Sequence, residues 1–280
     1  MNRLLAVALL AAIVDMEHSR SASRDVEIVA LDYAFKAPSE LPAGRTTFRF
    51  VNEGKVAHEF NIVLLKPGVT MQQFMAAANA DGPFRPMIDA TVGVVFAAPK
   101  AKASAALSTE LMAGRTYAVR CIFKDSATAP RHEQLGMFTT IHIAAGAPVV
   151  ASALHVDTIV GMDYAYRYAR TLSPGLHYLA FVNAGKQRHQ VSLGLLKKGV
   201  TIQQVLAVAK ADGDVDVLFD ESLGVLHSLG GANPLGQLKV DLLPGREYMI
   251  ACEFSDTPKA PPHMALGMFG SIRVTGKAAR

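Results

Sequence analysis

Apolar and polar residues alternate with a period of two in short runs along much of the chain. Val26, Ile28 and Ala30 are spaced by Glu27 and Val29, and Phe48 and Phe50 flank Arg49 within Thr46–Val51. Tracts 58–65, 117–123 and 138–143 are also rich in β-branched and aromatic residues. This is the signature of half-buried strands. Pro42 with Gly44, Pro67 with Gly68, and Gly114 punctuate the runs as turns. One stretch departs from the pattern. Residues 70–80 are rich in Gln, Met, Phe and Ala, with Thr70 placed to cap them and Asp81-Gly82 to end them. They predict a short helix, with a twin at 201–211.

That twin belongs to a larger regularity. Shifted by 131 residues, the chain aligns with itself without a gap from Val26 to Ile143. About two in five aligned positions are identical. Leu-Lys-Pro-Gly-Val-Thr at 65–70 returns as Leu-Lys-Lys-Gly-Val-Thr at 196–201, and Leu-Gly-Met-Phe at 135–138 returns unchanged at 266–269. A period this long is a whole domain rather than a solenoid unit. The expected organisation is a leader over residues 1–23, one domain over 24–147 and a second over 148–280. The join, near Ala144–Leu154, is short enough to bring the two into contact. Several short strands with one inserted helix per copy predict an all-β chain of two tandem Greek-key β-sandwiches.

The leader changes the expected compartment. Asn2 and Arg3 precede an apolar run from Leu4 to Val14, too short to span a bilayer, and Ser21 and Ser23 offer small residues for cleavage. This predicts a periplasmic or secreted protein with no integral membrane segment once the leader is removed. An uncleaved interfacial anchor is the rival reading. Half of the chain is apolar and 19% is charged, which suits packed cores. The net charge of +4 is scattered, and no basic run with interleaved aromatics occurs, so nucleic-acid binding has no support. There is no Gly-rich phosphate loop, nucleophile elbow or Cys-x-x-Cys pair.

The candidate chemistry gathers around the two cysteines, Cys121 and Cys252, which are equivalent under the shift. Each follows a strand opened by Tyr117 or Tyr248. Each precedes a loop, a His (His132, His263) and a Met (Met137, Met268). Each copy also has a His after an Asn-x-Gly turn, His58 after Asn52 and Gly54, His189 after Asn183 and Gly185. One thiolate, two imidazoles and a weak thioether are the donors of a trigonal His2Cys site with a long axial Met. The alternatives are a Cys121–Cys252 disulfide, as in many exported proteins, and two inert core cysteines. Taken singly, Met137 and Met268 would be core fillers, Leu135 and Leu266 core, and Met71, Met75 and Met87 a helical core face.

The pattern Asn-x-Gly-x-x-x-His, then Tyr-x-x-x-Cys, a loop, His and Leu-Gly-Met resembles the cupredoxin, or blue copper, family over nearly all of both copies. The resemblance implies metal ligands His58, Cys121, His132 and Met137 in the first copy. In the second it implies His189, Cys252, His263 and Met268, for up to two copper ions per chain. It also implies electron transfer with a redox partner protein. The alternatives are a copper carrier or store, a metal-free binding module, or, least supported, a copper oxidase or nitrite reductase. Those enzymes route electrons through a His next to the Cys. Here the neighbours are Arg120 and Ile122, Ala251 and Glu253, and no His-Cys or His-x-His occurs. No catalytic residue is therefore assigned. Two features depart from the family. The Cys-to-His loop is longer than in its small electron carriers, and Glu59 or Gln190 follows the first His where Asn is common.

Overall fold

The computed structural model describes residues 23–79, 85–146, 155–211, 213–228 and 230–276. The expected leader, except Ser23, and residues 147–154 of the join lie outside them. The first half runs β1 (Arg24–Leu31), β2 (Ala34–Lys36), β3 (Glu40–Leu41), β4 (Gly44–Asn52), β5 (His58–Leu65), α1 (Met71–Asn79), β6 (Ile88–Ala97), β7 (Lys102–Leu111), β8 (Thr116–Arg120) and β9 (Phe138–Ile143). The second repeats it as β10 (Asp157–Met162), β11 (Ala165–Arg167), β12 (Thr171–Leu172), β13 (Gly175–Asn183), β14 (His189–Leu196), α2 (Ile202–Lys210), β15 (Phe219–Ser228), β16 (Gly236–Leu242), β17 (Glu247–Ala251) and β18 (Phe269–Val274). The expected strands and both helices are present.

Each half is a two-layer sandwich, and the alternation places its side chains. In β1, Val26, Ile28 and Ala30 turn into the core. In β5 both faces are buried. Phe60, Ile62 and Leu64 enter the core between the sheets, while Val63 and Leu65 meet Phe74 and Met75 of α1 on the outer face. Met71 and Met87 pack at the edge of that outer cluster, as a helical core face requires. Both helices start with a reciprocal cap. The Gln73 amide donates to Thr70 Oγ1 (3.2 Å) and the Thr70 amide to Gln73 Oε1 (2.9 Å), and Thr201 with Gln204 does the same. Ahead of each cysteine strand, a buried tyrosine hydroxyl accepts a backbone N–H five residues upstream: Tyr117 from Met112 (3.1 Å), Tyr248 from Leu243 (2.9 Å).

The two halves share both sheets. One sheet runs β11-β10-β13-β16-β7-β4-β1-β2 and the other β12-β18-β17-β14-β15-β6-β5-β8-β9-β3. The seams are the antiparallel pairs β7·β16 and β6·β15. At their centres Leu107 faces Leu238 and Val94 faces Val225, and each pair is equivalent under the 131-residue shift. The halves are therefore related by a pseudo-twofold axis through both sheets, the arrangement of an isologous dimer in one chain. One hydrophobic core runs through both halves, from Phe48 and Leu107 to Leu238 and Ile250. Two equivalent glycines make room for it. A Cβ on Gly93 would stand 2.7 Å from Leu107 Cδ1, and one on Gly224 would stand 2.5 Å from the Val94 carbonyl oxygen.

Candidate metal centres

In each half the first histidine opens an inner strand, β5 or β14, and the Asn-x-Gly turn before it sets its position. Asn52 Oδ1 accepts the Gly54 amide (2.8 Å) and Asn183 Oδ1 that of Gly185 (3.0 Å). The glycine is required by space: a Cβ on Gly54 would lie 2.9 Å from His58 Nε2, and one on Gly185 3.0 Å from His189 Nε2. These four residues, expected to be turn formers, also seat the imidazole.

The cysteine follows β8 or β17, and the long loop after it is closed by backbone hydrogen bonds. The His132 amide donates to the Phe123 carbonyl (2.9 Å), Glu133 to Cys121 (2.7 Å), Met137 to His132 (2.9 Å) and Cys121 to Met137 (3.2 Å). The same four bonds recur around Cys252, His263 and Met268. The loop ends in a 3-10 turn, His132–Leu135 or His263–Leu266, stopped by Gly136 (φ 101°) or Gly267 (φ 110°) in the left-handed region. This explains the Leu-Gly-Met motif: the glycine ends the turn and returns the methionine beside the cysteine. Met137 and Met268 are fully buried. Leu135 and Leu266 are not core, contrary to expectation: they are 46% and 47% exposed, because the turn that buries the histidine faces them outward.

Three of the four expected residues per half bring their donor atoms within 4.8 Å of one another, and all are buried. In the first half His58 Nδ1 and His132 Nδ1 are 3.0 Å apart, and Cys121 Sγ lies 3.8 and 3.4 Å from them. In the second the distances are 3.0, 3.9 and 3.4 Å. A point equidistant from the three donors lies about 2.0 Å from each, close to zinc-type bond lengths of about 2.0–2.1 Å to nitrogen and 2.3 Å to sulfur. Both cysteines are free thiols in separate halves, so no disulfide joins them.

The hydrogen bonds around the triangle turn lone pairs inward. His132 Nε2 is bonded to Asp125 Oδ1 (3.0 Å), His263 Nε2 to Asp256 Oδ1 (3.1 Å) and His189 Nε2 to Asp163 Oδ1 (3.1 Å). An imidazole that donates from Nε2 presents an acceptor at Nδ1. In the second half two such acceptors face each other and a sulfur, an arrangement that a cation relieves. The sulfur also accepts the Glu59 or Gln190 amide at 3.4 Å. Burial, with Glu59 adding to it, pushes the Cys121 thiol up to about 12, so a cation taken up there displaces a proton. Burial, with repulsion from His132, pulls His58 down to about 4. His58 differs from its twin: Asp163 Oδ1 takes both the Lys186 amide (2.9 Å) and His189 Nε2, whereas Asp32 Oδ1 takes the Lys55 amide (2.6 Å) and His58 Nε2 is left buried with no protein partner.

Sequence reasoning missed the residues that hold the histidines. Tyr33 and Tyr164 stand edge-on to His132 and His263, with ring centroids 5.0 and 5.1 Å apart. Their hydroxyls donate to Asp125 (2.7 Å) and Asp256 (2.6 Å), holding those carboxyls below the ordinary carboxylate range together with the histidines. Both tyrosines adopt the left-handed backbone, φ 61° and 65°, which side-chain-bearing residues rarely do. The signal was available: Asp-Tyr at 32–33 and 163–164, and Asp125 with Asp256, are polar positions identical in both copies. Glu59, in the place of the usual Asn, accepts the Ile122 amide (3.2 Å) and so ties β5 to the residue after Cys121.

No family model and no curated protein matches the chain. Among solved structures it is similar to an auracyanin from Roseiflexus castenholzii (24% identity, 44% of this chain and 99% of that one, TM-score 0.30). It is similar to auracyanin A, a "blue" copper protein of Chloroflexus aurantiacus (23%, 44% and 99%, TM-score 0.29), and to a copper nitrite reductase of Nitrosomonas europaea (11%, 92% and 95%, TM-score 0.24). What defines each half is internal to it: a two-sheet sandwich with a histidine on an inner strand, and a cysteine, histidine and methionine on the loop joining its last two strands. The chain is a tandem of two cupredoxin-like domains.

Proposed function

We propose that the chain is an exported copper protein with two mononuclear type 1 sites, acting in electron transfer. The first site would use His58, Cys121, His132 and Met137, the second His189, Cys252, His263 and Met268. The observation that carries this reading is the triangle of two imidazole nitrogens and one sulfur, repeated in both halves with sides within 0.1 Å of each other. Copper bound there would supply a one-electron couple between Cu(I) and Cu(II). The protein's part is to hold the donors still. Asp125 and Asp256 fix the imidazole tautomers, Tyr33 and Tyr164 cover the rings, and the backbone clamp fixes cysteine against methionine. A frame closed in this way keeps water out and limits rearrangement when charge changes. The residues beside each cysteine, none of them His, favour a carrier over a multicopper enzyme. Domains over 24–147 and 148–280, a leader over 1–23 and a periplasmic or secreted location complete the proposal.

The test is a Cu(II) titration of the reduced protein followed by visible absorption. A strong thiolate charge-transfer band saturating at two ions per chain is expected, with Cys121→Ala and Cys252→Ala each removing one. Metal content unchanged in both variants would overturn the site assignment. Binding of Cu(I) alone at the same stoichiometry would assign a carrier or store instead.

A further inference from the structure

The pseudo-twofold axis relates two grooves on the outer face of the larger sheet, and they differ. In the first half the groove between the sheet and α1 is filled. Arg120 crosses it, with its guanidinium 5.3 Å from the Phe74 ring centroid and 3.2 Å from the buried Glu133 carboxylate. In the second half every one of these residues is replaced. Ala251 stands for Arg120, Val205 for Phe74 and Met264 for Glu133, while Glu253 stands for Ile122 and Asp216 for Arg85. The result is a cleft of about 760 Å³ beneath α2. Val205, Phe219, Met249, Ala251 and Met264 form apolar walls, and the cleft runs across the β6·β15 seam toward Phe123 of the first half.

Its polar groups are of one sign where the arginine is missing. Glu253, an exposed residue, lines the cleft with its carboxyl in reach of Ser192 and Gln190, and Asp216 lies near enough to repel it. The remaining lining acids are Asp220, paired with Arg246 (2.5 Å), and Glu221, which accepts the Ser104 amide (3.2 Å). Among the described lining residues the bases are Lys102 and His58, both of the first half, and burial holds His58 toward its neutral form. A carboxylate pair on an apolar wall, with no cation between them, is complementary to a cation carrying an apolar body. The first half shows what fills that space when the chain supplies it: a guanidinium over an apolar ring, paired with a carboxylate.

We infer that the cleft under α2 is a binding site for a small organic cation, a guanidinium or ammonium group on an apolar body, which takes the place that the Arg120 side chain fills in the first half. Glu253 and Asp216 would receive the charge, and Val205, Phe219, Met249 and Met264 the apolar body. Metal binding in either half is not needed for this, so the site stands or falls apart from the copper proposal.

The experiment uses the purified, reduced protein with 13C-methyl methionine. Met249 and Met264 line the cleft, and the fully buried Met137 of the other half is the control. Benzylguanidinium is titrated, with benzyl alcohol as the uncharged probe. The expected result is a saturable shift of the Met249 and Met264 methyls by benzylguanidinium, with a much weaker response to benzyl alcohol. Glu253→Gln should weaken binding by about tenfold or more, the loss of one charge-assisted contact. Ala251→Arg, which restores the residue of the first half, should abolish it. Absence of a shift, equal response to both probes, or affinity unchanged in Glu253→Gln would each overturn the proposal. The glutamine variant decides the matter should Ala251→Arg fail to fold.

Discussion

Replacing Leu107 by Ala tests whether the two halves are one cooperative unit. Leu107 is fully buried, faces its own equivalent Leu238 across the seam, and packs so closely on Gly93 that no Cβ fits there. The substitution removes three buried carbons, about 2.4 kcal/mol of transfer free energy at about 0.8 kcal/mol each, and leaves a cavity in a core that cannot close over it. The expected loss is about 3–5 kcal/mol. Because the core is continuous through both halves, the loss should fall on both. The chain has no tryptophan, but each half carries one fully buried thiol as a local reporter. Metal-free protein is equilibrated in urea and pulse-labelled with a thiol reagent, and the label is located at Cys121 and Cys252. In the parent chain both thiols should become reactive at one midpoint. In Leu107→Ala both midpoints should fall together, by about 1–2 M if the urea slope is about 2–3 kcal/mol/M. A lowered midpoint at Cys121 with that of Cys252 unmoved would refute the shared core as an energetic unit.

Two further outcomes are expected. Asp163→Asn should weaken copper binding in the second half by about 10–100-fold, because Asp163 holds His189 Nε2, whereas Asp32→Asn should have a smaller effect, since Asp32 binds the Lys55 amide and not His58; competition with a chromophoric chelator reads both, and equal losses would refute the distinction. His58 and His227 are both lowered to about 4 by burial, so the unfolded chain binds their protons first as the pH falls; the metal-free protein should lose stability, by a few kcal/mol, between about pH 6.5 and 4, and urea midpoints flat over that window would count against it.

The convergence of the donor side chains was legible because residue type, order and repetition all pointed the same way. His58, Cys121 and His132 converge as their pattern implied, and so do their counterparts. What was not legible depends on partners far away in sequence. Strands β6 and β7 gave no clear alternation. Ile88–Ala97 is apolar through most of its length because its later residues pair with the other half, and Lys102–Leu111 is built largely of Ala, Ser and Thr. Their neighbours at the seam are 127–133 positions away, beyond any local periodicity. Leu135 and Leu266 were misplaced for a related reason: hydrophobicity alone does not show which side of a tight turn meets solvent. The Tyr-Asp pairs that hold the histidines were in plain view as repeated polar positions, but nothing local marked them as supports.

The pseudo-twofold seam has a consequence for how the molecule can change. In a dimer of identical chains every substitution is made twice, so both grooves gain or lose an arginine together. Fusing the halves into one chain removes that constraint while keeping the packing that symmetry produced. One groove holds Arg120 and is closed, and the other holds Ala251 and is open. Two surfaces that identical chains would be obliged to share are here each free to carry their own chemistry.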